Sequence, residues 1–91
     1  MNKKDIKLAL SIDLVNQAPQ EEILMSIYLL VDRFKSFLGK LNDVKELDKR
    51  KFTRHIRTHY ALHYDNARID IDLLTNPLTK TQSVYSFDIV N

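Results

Sequence analysis

Apolar and polar residues alternate strictly near the start of the chain. The apolar side chains occupy every second position: Ile6, Leu8, Leu10, Ile12 and Leu14. A period of two places them all on one face of a β-strand, whereas a helix would scatter them around its axis. The pattern therefore predicts a first strand over residues 5–15.

The spacing changes after Pro19, a residue that the first turn of a helix tolerates because its missing N–H would have no partner there. Apolar side chains then recur every three or four residues: Ile23, Ile27, Leu30, Val31, Phe34, Leu38 and Leu41. This is the period of an amphipathic helix. With Gly39, the only glycine, near its end, we predict a helix over residues 19–38.

A second helix is indicated over residues 44–62. Asp43 and Glu46 have the spacing of a capping box just before it. The apolar residues that follow share one broad helical face: Val44, Phe52, Ile56 and Leu62. Because these residues are few, we expect this helix to be shallowly buried.

Alternation returns in two short runs near the end of the chain: Ile69, Ile71 and Leu73 in one, and Tyr85, Phe87 and Ile89 in the other. The polar segment 75–82 between them contains Pro77 and is typical of a loop. The predicted order is β-α-α-β-β. It indicates an α+β fold in which two helices pack on one face of a three-stranded antiparallel sheet.

Length and composition narrow the class of protein. Ninety-one residues with 44% hydrophobic and 29% charged side chains are enough for one core, so residues 1–91 are expected to form a single small domain. There is no cysteine, and no apolar run approaches the roughly 20 residues of a membrane span. We expect a cytoplasmic protein without disulfides and without membrane contact.

Positive charge is concentrated in the middle of the chain. Residues 45–57 carry six basic and two acidic side chains, and no acidic residue occurs from 49 to 64. On the predicted second helix four cations form one stripe: Arg50, Lys51, Arg54 and Arg57. Such a stripe can neutralise phosphates, and Arg offers planar donors to phosphate oxygens. It predicts binding to DNA or RNA, although a solvated helix surface is the alternative.

Three histidines follow one another at a spacing of four: His55, His59 and His63. Imidazoles at i and i+4 on a helix can share a metal ion, with Asp65 as a further ligand. Their face coincides with that of Phe52 and Ile56, however. We therefore interpret them as the boundary between helix and sheet and predict no metal site, while the sequence leaves metal binding open.

Four aspartates are predicted on the sheet face away from the helices: Asp13, Asp70, Asp72 and Asp88. Clustered carboxylates can bind Mg²⁺ for phosphoryl chemistry. An exposed sheet face also needs polar residues, and no nucleophile, base or glycine-rich phosphate loop accompanies these four. We predict that the protein is not an enzyme and needs no cofactor.

The first predicted helix has more apolar residues than one buried face needs. Met25 and Leu29 lie on its far side, where a monomer would expose them. We predict a homodimer through this helix. The alternative function is a protein-interaction module, such as a small inhibitor, immunity or adaptor protein, which acts through this apolar side or the acidic sheet face.

Overall fold

Three helices precede four strands in the computed structural model, which describes residues 3–90. The helices are α1 (Lys3–Val15), α2 (Ile23–Asp32) and α3 (Lys35–Leu38), and the strands are β1 (Leu41–Lys51), β2 (Ile56–Tyr64), β3 (Arg68–Asn76) and β4 (Thr81–Val90). The strands form one antiparallel sheet in the order β1-β2-β3-β4. The α+β class holds, but the predicted β-α-α-β-β order with a three-stranded sheet and two helices is wrong.

The segment 5–15, predicted as a strand, belongs to helix α1. Its buried side chains lie four residues apart: Ile6, Leu10 and Leu14. Leu8 and Ile12 are 64% and 55% exposed on the opposite side of the helix. Strict alternation also contains a period of four, and no glycine or proline opposes a helix here. The strand prediction failed because only three of the five alternating apolar residues are buried.

The helix predicted over 19–38 is shorter and interrupted. Gln20 forms a backbone bridge with Gln82 of β4, so its N–H and carbonyl belong to the sheet and α2 begins only at Ile23. A break at Arg33 and Phe34 separates α2 from α3. Arg33 pairs there with Asp13 of α1, while the Phe34 side chain is buried.

The helix predicted over 44–62 is instead the hairpin of β1 and β2, which pairs Val44 with Leu62 and Lys51 with Ile56. Alternate residues of β2 face the helices and carry the strand signal: Ile56, Thr58, Tyr60, Leu62 and Tyr64. β1 has few apolar residues because it is an edge strand. It is exposed from Lys45 to Lys51.

The core lies between the helices and one face of the sheet. Buried stripes of α1 and α2, including Leu10 and Ile27, pack against the inner residues of β2, β3 and β4, including Ile71. Burial of each such side chain stabilises the folded state by roughly 1.5–3 kcal/mol. Within residues 3–90 no helix combines the length and apolar character needed to cross a bilayer.

The opposite face of the sheet, called here the open face, is polar. It carries alternate residues of each strand, such as Lys45, His59, Asp72 and Asp88. An extra residue in β4, Tyr85, forms a bulge opposite β3. Bulges redirect side chains, and Tyr85 lies against the Arg57 guanidinium at 4.6 Å from the ring centroid.

The connection from α3 to β1 depends on a close approach of two loops. The Asp65 carboxylate accepts hydrogen bonds from the Lys40 N–H at 2.9 Å and from Asn42 Nδ2 at 2.7 Å. These two bonds hold the pKa of Asp65 below its ordinary value, and the bond from Asn42 has the larger effect. Gly39 adopts φ 81° and ψ −156°, a conformation that is open almost only to glycine.

Gly39→Ala is expected to lower the free energy of unfolding by about 1–3 kcal/mol. Its added Cβ would lie 2.6 Å from Asp65 Cβ, in a backbone conformation that alanine avoids. Urea denaturation at neutral pH measures the loss. Ser36→Ala, at an exposed position of the neighbouring helix α3, is the control and should change stability little. Equal stability of the two variants would contradict this account of the junction.

Candidate nucleic-acid interface

The far end of the β1–β2 hairpin concentrates positive charge. Residues 49–57, called here the basic hairpin end, carry five cations and no acidic side chain: Lys49, Arg50, Lys51, Arg54 and Arg57. The edge position of β1 and the turn at 52–55 leave most of this segment exposed. The charges therefore project from one end of the sheet into water.

The four predicted contact residues do not form a helical stripe. Arg50 and Arg57 are paired across the hairpin and lie on the open face, whereas Lys51 pairs with Ile56 and points to the other face. Arg54 lies in the turn. The structure brings the four together at one hairpin end, but on both faces of the strands, so the predicted helical arrangement is wrong.

Two of these three arginines are neutralised by aspartates. Arg50 Nε lies 2.9 Å from Asp48 Oδ2, and Arg57 Nη2 lies 2.8 Å from Asp72 Oδ2. With His59 these residues line a shallow depression of about 340 Å³ on the open face. This depression contains both signs of charge, so it presents little net charge to a ligand.

The remaining three cations keep their full charge. Within residues 3–90, Lys49, Lys51 and Arg54 form no ion pair, and all three are exposed. Lys49 was not among the predicted contact residues, because it lies off the predicted helical stripe. The strand period reveals it, since it puts Lys49 and Lys51 on the same face of β1.

An aromatic pair lies beside these cations. The rings of Phe52 and His55 are stacked with their centroids 4.8 Å apart, and Phe52 is 49% exposed. An exposed flat ring next to cations is a surface on which unpaired bases can stack. The combination of free cations and an exposed aromatic ring distinguishes the basic hairpin end from an ordinary solvated strand.

Asp72 anchors the charged network on the open face. Burial would raise the pKa of its carboxyl, but hydrogen bonds from Arg57 and Ser86, together with the charge of Arg57, outweigh burial and hold the pKa below its ordinary value. His59 Nδ1 lies 4.0 Å from Asp72 Oδ1. Asp72 thus fixes the position of Arg57 and stays ionised at neutral pH.

The histidines are not assembled into a metal site. His59 and His63 lie four residues apart on a strand, which separates them by roughly 13 Å, and His55 lies in the turn. Within the described part of the chain no group of three His, Asp or Glu side chains is placed to hold a metal ion. The spacing of four that suggested one helical face also fits one face of a strand.

The aspartates of the predicted acidic face do not all lie on the sheet, and their charges are balanced by nearby cations. Asp13 lies on α1 rather than on the sheet and pairs with Arg33. Asp70 and Asp88 do share the open face with Asp72. Asp70 accepts hydrogen bonds from Arg68, and Asp88 lies 2.7 Å from Lys7 Nζ. The open face is therefore a mosaic of both charges.

Two further surface features lie on the helical side. Leu8 and Ile12 of α1, with Met25 and Leu29 of α2, face away from the sheet and form what we call the helix outer surface.

A depression lies between α2 and β1, beside Tyr64. Burial raises the pKa of the Tyr64 phenol to about 12. This phenol therefore stays protonated at neutral pH.

Comparison of the chain with protein-family models, with curated protein sequences and with solved structures gave no significant match. A function can therefore be supported only by the geometry and charge of the surfaces described above.

Asp72→Asn is expected to lower the free energy of unfolding at pH 7 by about 1–3 kcal/mol, because it removes the charge that Arg57 and Ser86 hold in place. A carboxylate whose pKa is lowered by folding stabilises the fold at pH values above the ordinary Asp pKa of ~3.9. This stabilisation is lost as the pH falls through the lower pKa of the folded state. The deficit of the variant should therefore shrink between pH 5 and pH 3 (roughly the range of carboxyl titration), as urea denaturation can measure.

Asp70→Asn is the matched control on the same face. Asp70 bonds to Arg68 of its own strand, whereas Asp72 bonds to side chains of β2 and β4. Ion pairs at the surface contribute about 0–1 kcal/mol. Equal losses in the two variants, or a deficit of Asp72→Asn that does not depend on pH, would contradict the role given to Asp72.

Proposed function

We propose that this protein is a non-enzymatic accessory or regulatory protein that binds DNA or RNA through the basic hairpin end. Lys49, Lys51 and Arg54 contact phosphates. Arg50 and Arg57 lie beside them on the open face, in ion pairs with Asp48 and Asp72. The observation that carries the proposal is a segment of nine residues, six of them exposed, with five cations and no carboxylate. Three of these cations form no ion pair within residues 3–90.

The physical basis is the release of counterions from the phosphate backbone. Each cation that neutralises a phosphate returns condensed ions to bulk solvent, so binding weakens steeply with salt. Phosphate contacts position a protein without choosing a sequence. The exposed Phe52 ring favours single strands, because paired bases in a duplex are not available for stacking on it.

The triple variant Lys49→Glu, Lys51→Glu, Arg54→Glu is expected to lose binding to single- and double-stranded oligonucleotides. Fluorescence anisotropy at about 50 and 200 mM salt measures affinity and its salt dependence. The wild-type protein should bind more weakly at the higher salt. Three lost phosphate contacts should reduce the slope of log Kd against log salt by about 2–3.

A control with the same change of net charge separates a local site from general attraction. Lys4→Glu, Lys35→Glu, Lys80→Glu alters three exposed lysines outside the basic hairpin end. The control should keep most of the affinity and the salt slope. Equal loss in both triple variants, or no binding by the wild-type protein at low salt, would sink the proposal.

A second candidate function is a protein-interaction module that acts through the helix outer surface. Leu8 is 64% exposed and Leu29 is 72% exposed, and the four residues form an i, i+4 pair on each helix. Apolar side chains grouped on one outward surface favour contact with another protein. The homodimer predicted through the first helix belongs to this candidate.

If the helix outer surface mediates association, Leu29→Glu should abolish a contact that changes little with salt, because apolar contacts are screened less than charged ones. Sedimentation velocity over a range of protein concentrations and two salt concentrations detects self-association. Leu78→Glu is the control, since Leu78 is 92% exposed in the β3–β4 turn. Equal behaviour of both variants would exclude this surface as the contact.

A further inference from the structure

The two edges of the sheet differ in how they are covered. At the β4 edge Gln20 pairs with Gln82 through two backbone hydrogen bonds, of 3.0 and 2.7 Å, and α1 packs along β4. Along β1, within residues 3–90, no strand pairs with the outer side, and every residue from Lys45 to Lys51 is exposed. An edge strand of eleven residues offers a row of backbone donors and acceptors to another strand.

Two backbone donors of this edge strand bond to local carboxylates. The Val44 N–H donates to Asp43 Oδ1, and the Lys49 N–H donates to Asp48 Oδ1, both at 2.9 Å. Backbone N–H groups of an antiparallel edge strand point alternately toward and away from its neighbour. The bulge between Glu46 and Asp48 shifts this alternation by one residue, so the N–H groups of Val44 and Lys49 point the same way. Val44 and Lys49 thus mark the donors that point away from β2.

We propose that two copies of the chain associate through antiparallel pairing of their β1 strands, which joins two four-stranded sheets into one of eight strands. Val44 of each copy lies opposite Lys49 of the second copy. The symmetry axis passes between Glu46 and Leu47. In this register the two outward N–H groups of each copy bond to carbonyls of the other.

The charges on the open face of β1 are self-complementary in this register. Asp43 comes opposite Arg50 of the second copy, and Lys45 comes opposite Asp48. All four side chains lie on the open face, so each pair meets on one side of the joined sheet. The two-fold axis repeats both pairs, which gives four contacts between opposite charges across the interface.

Neighbouring registers lack this complementarity. A shift by two residues, which keeps each side chain on its own face, places Asp43 opposite Asp48 in one direction and Lys45 opposite Arg50 in the other. Like charges directly opposite one another destabilise a strand pair. The charge order of β1 therefore disfavours these two neighbouring registers.

Formation of the pair exchanges bonds at Val44 and Lys49. The carboxylates of Asp43 and Asp48 release the N–H groups of Val44 and Lys49, which bond to the second copy. The same carboxylates then face the Arg50 and Lys45 side chains of that copy. Arg50 and Lys45 already lie near aspartates of their own strand, at 2.9 and 3.9 Å, so the charged groups need only small movements.

Charge exchange at one contact tests the pairing with purified protein and without nucleic acid. Lys45→Asp places two carboxylates opposite each other at both related contacts, and Asp48→Lys places two ammonium groups there. Each single variant should raise the Kd of the dimer about tenfold or more. An equimolar mixture of the two should form a heterodimer, because every contact then joins opposite charges. The double variant Lys45→Asp, Asp48→Lys should dimerise like the wild-type protein.

Sedimentation velocity and native mass spectrometry report the dimer and resolve the mixed species. Lys4→Asp and Glu21→Lys are matched controls at exposed positions outside β1 and should leave the dimer unchanged. Circular dichroism of each variant establishes that it is folded. A wild-type protein that stays monomeric, single variants that dimerise normally, or a dimer lost in Leu29→Glu but not in the β1 variants would overturn the proposal.

Discussion

The rest of the structure depends on the burial of two helical stripes against a single face of the sheet. The stripes on α1 and α2, represented by Leu10 and Ile27, cover the inner residues of β2, β3 and β4, represented by Ile71. Within residues 3–90 the helices pack on this face alone, and none covers the second face. Because apolar burial is the main driving force of folding, this one-sided core decides which surfaces must be polar.

The open face and the hairpin follow from this constraint. Outward positions of the strands carry ion pairs, such as that of Arg57 with Asp72, which neutralise most of the charge in the middle of the sheet. The helices leave the far half of β1 uncovered. Cations there face water on both sides and have few carboxylates nearby, so positive charge accumulates at the hairpin end.

The sequence predicted the α+β class and the two C-terminal strands, whose alternation reflects one buried and one exposed face. It failed where a pattern fitted two periods. Ile6, Leu10 and Leu14 satisfy both a strand and a helix, and only the exposure of Leu8 distinguishes them. The proposed contact residues do lie together at one hairpin end, but their arrangement was not predicted, because edge strand β1 lacks the alternation that identifies a strand. The self-complementary order of charges becomes visible only once β1 is placed at an edge.

The uneven coverage of the sheet also sets a gradient of local stability. β3 is buried at Ile69, Ile71 and Leu73 between two neighbouring strands, so its amide protons should exchange with solvent only when the whole domain unfolds. The outer half of β1 buries little apolar surface and should open by itself far more often. Any ligand held there must therefore also order the strand that holds it, and its binding energy will partly appear as slower exchange of the hairpin amides.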